Sequence, residues 1–172
     1  MTKSQKKIQK SSHILNILFL CLLLDPLMHM AQKLLFAVGL LCDHAPYVEL
    51  LRQQTPNVTS FHGAMFNFAG LLCYALLFVA YYLTHCIFRD ISQEYTPFRA
   101  VHTRRLRWIA GLIAACLIFE SVLNHWAVWA NTGILDWPFR LDVRYILPLL
   151  IFSFSFILDY ACQLQAEADT TL

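Results

Sequence analysis

Four apolar stretches, each about as long as a bilayer is thick, constrain this chain more than any other feature. A membrane helix needs ~20 predominantly apolar residues. Such runs lie at about 14–35 (beginning ILNILFLCLLL), 64–88, 106–130 and 145–164. Lipid cannot hydrogen-bond backbone N–H and C=O groups, so a spanning segment must satisfy them internally. None of the runs alternates with the period of two that a membrane barrel requires, which leaves helix. Composition agrees: 58% of the 172 residues are hydrophobic and 14% charged, against ~45–50% and ~25% in soluble domains. The expected fold is all-α, a polytopic four-transmembrane-helix bundle forming a single membrane domain over residues 1–172. Its outer loops fall at about 42–62 and 131–144 and its inner loop at about 89–105.

Basic residues set the direction. Lys3, Lys6, Lys7 and Lys10 precede the first span, and Arg89, Arg99, Arg104, Arg105 and Arg107 fall between the second and third. The other side carries only Lys33, Arg52, Arg140 and Arg144. The positive-inside rule therefore predicts both termini in the cytoplasm. Trp126, Trp129, Trp137 and Tyr145 would form an outer interfacial belt, with Tyr95, Trp108 and Tyr160 near the inner one. The basic start followed by an apolar run mimics a signal peptide. However, Asp25-Pro26 stands where small residues would mark a cleavage site, so an uncleaved first helix is expected.

The loops hold little. Asn57-Val58-Thr59 would accept a glycan only in a eukaryotic secretory route. Thr96 suits a helix N-cap and Pro97 a first helical position, which predicts a third helix that starts in the cytoplasm before Trp108. Its first turns carry Arg99, Arg104, Arg105 and Arg107, either as an anchor on anionic headgroups or as a docking surface. No internal repeat, Gly-rich phosphate loop, nucleophile elbow or basic-aromatic nucleic-acid surface is present.

Ionisable groups within spans are costly and should face the protein interior or a water-filled cavity. Asp25, His29, Gln32 and Lys33 share one face of the first span at i, i+4, i+7 and i+8. Glu120, Asn124 and His125, with Ser121 beside them, mark the third. Asp25 and Glu120 each lie eleven residues past Ile14 and Ile109, roughly 16 Å along their helices at 1.5 Å per residue. The outer halves of spans one and three are thus expected to present matching polar faces to a shared, outward-open cavity. At least one of the two carboxylates would be protonated, or paired with His29, Lys33 or His125. Three chemistries fit this set: an interhelical hydrogen-bond seam, an ion, proton or metal site on His29, His125, Asp25 and Glu120, or a haem held by two histidines. Pro26 should free a carbonyl one turn earlier and kink its helix.

Asp159 should pair with His85, Arg104 or Arg105 at the inner boundary. Asn16 and Asn67 are expected to bond between helices. The six cysteines (Cys21, Cys42, Cys73, Cys86, Cys116 and Cys162) contain no C-x-x-C and fall mostly within spans, where they pack as small apolar groups. The acidic tail with Glu167 and Asp169 either frays or packs against the basic turns at Arg99 to Arg107.

Two patches carry a family resemblance. Ile91-Ser92-Gln93-Glu94-Tyr95-Thr96-Pro97-Phe98-Arg99, followed by Arg104-Arg105-Leu106-Arg107, resembles the start of the third helix in the bacterial family called domain of unknown function 2975. The ending Tyr160-Ala161-Cys162-Gln163-Leu164-Gln165-Ala166-Glu167-Ala168-Asp169-Thr170-Thr171-Leu172 resembles that family's "yG..LQ.E.D.TL" pattern, with Ala161 where the family usually has Gly. The resemblance implies a small, non-enzymatic, multi-pass protein of the bacterial inner membrane without a cofactor. Its members are often encoded beside a small helix-turn-helix regulator, which implies a membrane-bound modulator of that regulator. The partners expected are the lipid bilayer, a small cytoplasmic transcriptional regulator and further copies of the chain, with no direct contact to nucleic acid. A transport or redox component built on Asp25, His29, Glu120 and His125 is the alternative.

Overall fold

A computed structural model of the chain describes residues 3–94, 99–134 and 143–170. Of these, 92% are helical and none is in a strand, which excludes a barrel for the described part. Helix α1 covers Lys3–Leu22, α2 Leu24–Leu41, α3 Ala45–Gln54, α4 Ser60–Glu94, α5 Ala100–Thr132 and α6 Ile146–Thr170. One 3₁₀ turn, Val143–Tyr145, leads into α6. Four helical segments are long and apolar enough to cross a membrane: Ile8–Leu41, Ser60–Gln93, Ala100–Thr132 and Val143–Ala168.

Each segment outruns its apolar stretch, because a helix keeps its hydrogen-bond ladder into polar sequence when nothing breaks it. The expected inner loop at 89–105 therefore shrinks. Residues up to Glu94 belong to α4 and those from Ala100 to α5. Thr96 and Pro97, with Tyr95 and Phe98, lie outside the described residues. Even so, α5 does not start at Pro97: Arg99 is extended (φ −130°, ψ 138°), and its carbonyl accepts the first amides, from His102 and Thr103. The expected outer loop at 42–62 contains α3, where an extended His44 and Pro46 in the first turn start a helix. Gly133 closes α5 in the left-handed conformation (φ 71°), its amide bonding the Trp129 carbonyl. Trp137 and Arg140 lie outside the described residues.

The first span is two helices. Pro26 has no N–H to offer the Leu22 carbonyl, and the helix is interrupted for one residue at Leu23, where the kink was expected. Leu23 stays near helical geometry (φ −63°, ψ −23°), so α2 continues roughly along α1.

Neighbouring spans run antiparallel, and each packs directly only on its neighbour in the chain: α1 and α2 on α4, α4 on α5, and α5 on α6. Among the described residues the backbone of the first span does not come within 8 Å (Cα to Cα) of α5 or α6, nor that of α4 within 8 Å of α6. The expected bundle is thus an open row with α4 and α5 in its middle. The α1–α4 register is set by Ser12, whose hydroxyl donates to the Phe88 carbonyl (2.7 Å), and by Phe19, stacked on Phe88 at 5.5 Å. Ser12 is buried, and hydrogen bonds between membrane helices average ~0.6 kcal/mol. Ser12→Ala should cost about that much in an SDS unfolding titration; a loss above about 2 kcal/mol would mean the site does more than fix register.

Two small apolar cores hold the row. Ala80, Ile87 and Ile109 join α4 to α5 toward the end where the arginines gather. Leu40, Leu51 and Ala64 join α2, α3 and α4 at the opposite end. There α3 comes close because glycines face it. A Cβ on Gly63 would lie 2.8 and 2.9 Å from the two Leu51 methyls, and one on Gly39 would overlap the Tyr47 ring.

Candidate functional site

Helix α3 roofs a cavity of about 410 Å³ whose walls come from α2, α4 and α5, within the 300–1,000 Å³ usual for small-molecule sites. Helix α2 contributes His29, Gln32, Lys33 and Phe36, four positions at helical spacing. Helix α4 contributes Gly63, Phe66, Asn67 and Tyr74, which also recur at helical spacing on one face. Helix α5 adds Trp126 and Ala127, and the roof brings Leu50, Leu51 and Gln54, with Thr55 and Val58 just beyond.

Five contacts shape the polar wall. The His29 ring lies parallel to Tyr74 at 4.9 Å, and its Nε2 is 3.6 Å from the Asp25 carboxylate one turn earlier. Gly70 has no side chain, and the aliphatic stem of Lys33 lies 3.7 Å from where its Cβ would be. The Lys33 ammonium thereby reaches the Phe66 face, 5.8 Å from the ring centre. Phe66 in turn stacks on Trp126 at 6.0 Å.

Only half of the expected polar face belongs here. His29, Gln32 and Lys33 line the cavity, while Asp25 is 66% exposed and stands outside it. Glu120, Asn124 and His125 do not line it. The matching faces of spans one and three fail because α4 separates them, and because α5 turns about 240° further from Glu120 to Trp126 at ~100° per residue. Trp126 faces the cavity, and Glu120 pairs with Arg144 in the turn before α6. The partner of Glu120 is none of those expected but Arg144, whose Nη1 lies 3.2 Å from its carboxylate. Arg144 precedes α6, outside the apolar stretch searched for a partner.

The residues named as metal ligands do not converge either. Among the described residues no three His, Cys, Asp or Glu side chains come together as a metal site. Asp25 and His29 pair with each other, but Glu120 and His125 sit on a helix that does not pack against theirs. Asn67 also departs from expectation: its amide donates to the Gly63 carbonyl within its own helix (2.8 Å), since it sits on the cavity wall. Asn16 joins α1 to α4 through its backbone carbonyl, near His85 Nδ1 (3.3 Å), rather than through its side chain. Cys73 and Cys116 meet across α4 and α5, the Cys116 thiol 3.5 Å from the Cys73 carbonyl, and serve as the small packing groups expected.

The opposite end carries the ion pairs. Arg105 bonds Asp90 across the α4–α5 hairpin. Asp159 pairs with Arg107 at 2.9 Å rather than with His85, Arg104 or Arg105. The two-residue step from Arg105 to Arg107 turns α5 by about 200°, from its α4 side to its α6 side. Arg107 also lies over Phe156, 5.1 Å from the ring centre. Of the family-like positions, Arg99 and Arg104 are exposed at the start of α5 and Leu106 is partly buried on the α4–α5 core. Leu164, Gln165, Glu167 and Asp169 lie on α6, which stays helical to Thr170 instead of fraying, with residues 163–168 exposed. Thr171 and Leu172 lie outside the described residues.

The cavity residues on α4 and α5 were missed because Phe66, Tyr74 and Trp126 read as ordinary span or belt aromatics. Their one visible signal was the alignment of Gly63, Gly70 and Tyr74 on one face of α4. Comparison of the chain with family profiles, curated proteins and solved structures finds no match in any of the three.

Proposed function

We propose that this chain is a multi-pass protein of the bacterial inner membrane, with its termini and its arginine-bearing hairpin in the cytoplasm. It acts without enzymatic chemistry, as a membrane-bound modulator of a small cytoplasmic helix-turn-helix regulator. Membrane residence is supported by the side chains the row leaves uncovered, among them Leu18, Leu35, Leu72, Val79, Ile118, Leu150 and Ile157. An apolar surface of that extent needs lipid around it. From Arg107 to Trp129 is twenty-two residues of α5, about 33 Å at 1.5 Å per residue, close to the ~30 Å hydrocarbon core.

The observation that carries the reading is the division between the two ends. The end with the Arg105–Asp90 and Arg107–Asp159 pairs is built of charge and displays Arg99, Arg104 and the last turns of α6. The other end holds a roofed cavity. That polarity suits a component with a ligand on one side and a protein partner on the other. It also agrees with the family resemblance, and with an arginine surface that both anchors and docks.

Two measurements test the proposal. Alkaline phosphatase fused after Gly133 should be active, and green fluorescent protein fused after Phe88 or Thr170 should fluoresce; the reverse pattern overturns the topology. Purification from native membranes should bring down a small DNA-binding protein, and Arg99→Glu with Arg104→Glu should release it. Loss of no partner under either condition, with the variants still in the membrane, overturns the modulator reading.

A further inference from the structure

We propose that the roofed cavity binds a small amphipathic organic anion, a carboxylate attached to an aromatic or branched apolar body, which enters from the aqueous side near α3. The inference rests on the membrane topology proposed above and not on the cytoplasmic partner.

The cavity is one-sided in charge. Among the described residues that line it, Lys33 is the fixed cation and none is an Asp or Glu. The carboxylates of Asp25 and Glu120 do not line it; Asp25 pairs with His29 and Glu120 with Arg144. Charged residues within spans are retained where they meet a partner or a water-filled space, and among the described residues the Lys33 ammonium lies over the Phe66 ring. The lysine stem is packed in the helix pair, lying at contact distance beside Gly70 of α4. A lysine that merely snorkelled to the interface would need neither that packing nor an aromatic face.

The rest of the wall selects the body of the ligand. Phe66, Trp126 and Tyr74 offer flat apolar surface in the same cavity, to which Gln32 and Gln54 bring amide donors. An anion on Lys33 would exchange a cation–π contact for a charge-assisted hydrogen bond, about twice as strong as a neutral one. A metal ion does not suit this wall, which has a cation and no carboxylate. A simple inorganic anion would leave the aromatic surface unused. An anionic lipid headgroup shares the same charge chemistry, so the test separates it from a free acid.

The experiment uses the full-length protein in phosphatidylcholine nanodiscs, titrated with 1-naphthylacetate and with its uncharged isostere 1-naphthylacetamide, followed by calorimetry. The expected result is saturable one-to-one binding of the acid, at least tenfold tighter than the amide. Lys33→Met, which keeps the stem and removes the charge, should abolish that difference, and Lys33→Arg should preserve it, both with unchanged thermal melting. Equal affinity for acid and amide in the unaltered chain overturns the proposal without needing any variant. So does Lys33-dependent retention of phosphatidylglycerol, read by native mass spectrometry, in a protein that binds no naphthylacetate. Loss of the cytoplasmic partner in the co-purification would leave these outcomes unaffected, so the two readings fail separately.

Discussion

Arg144→Ala will destabilise this protein by about 2–3 kcal/mol, the largest effect expected from removing one charge. Its guanidinium lies 3.2 Å from the Glu120 carboxylate. Glu120 is thirteen residues from Arg107 along α5, about 20 Å into the apolar layer. A charged side chain at that depth costs ~2.5–3.5 kcal/mol on insertion scales. Removing the arginine leaves the carboxylate to meet that cost alone or to take up a proton, and the α5–α6 contact loses its polar tie. Glu120→Gln with Arg144→Gln should recover most of the loss, because neutral amides can bond each other and no unpaired charge remains. Unfolding by SDS in mixed micelles measures both. An Arg144→Ala protein as stable as the parent would show that the pair contributes nothing, as many surface ion pairs do.

Gly63→Leu is expected to act at the opposite end by a different route. Even a Cβ at this position would sit 2.8 and 2.9 Å from the Leu51 methyls and 3.1 Å from Leu40. The four carbons of a leucine side chain have no space unless α3 lifts away from α2 and α4. Overpacking of a filled core typically costs 1–3 kcal/mol, and here the relief is local because α3 rests on a small core of three buried side chains. The expected outcome is therefore partial: a loss of about 2 kcal/mol, with the roof displaced while the four long helices remain. Hydrogen exchange should show faster exchange in α3 with α4 and α5 unchanged, and binding of 1-naphthylacetate should weaken. Uniform loss of protection along α4 would show instead that the roof and the row fold as one unit.

These predictions use two kinds of information. The helices and their approximate spans were legible because the requirement is one-dimensional. An apolar run of sufficient length must become helix in lipid, whatever its neighbours are. Pro26 also announced the interruption at Leu23 without any tertiary contact, since the missing N–H is a property of the residue. Helix ends were less legible. Hydropathy marks where the apolar stretch stops, while the hydrogen-bond ladder stops only where the backbone turns, as at Arg99 and Gly133.

The pairing of side chains was not legible. Depth along a helix follows from counting residues, and on that basis the polar faces carrying Asp25 and Glu120 looked matched across a shared cavity. Which face each residue presents to which neighbour depends on the order and rotation of the helices in the row. Asp25 did pair with His29 one turn away, as spacing suggested, but with α4 between the two faces Arg144 and Arg107 took partners that spacing alone did not select. The cavity belongs to the same class, since it exists only where three long helices diverge beneath a short one. Length and hydropathy are summed along one chain and so are written in the amino acids themselves. Charge pairing and concavity are relations between helices, and only packing in three dimensions decides them.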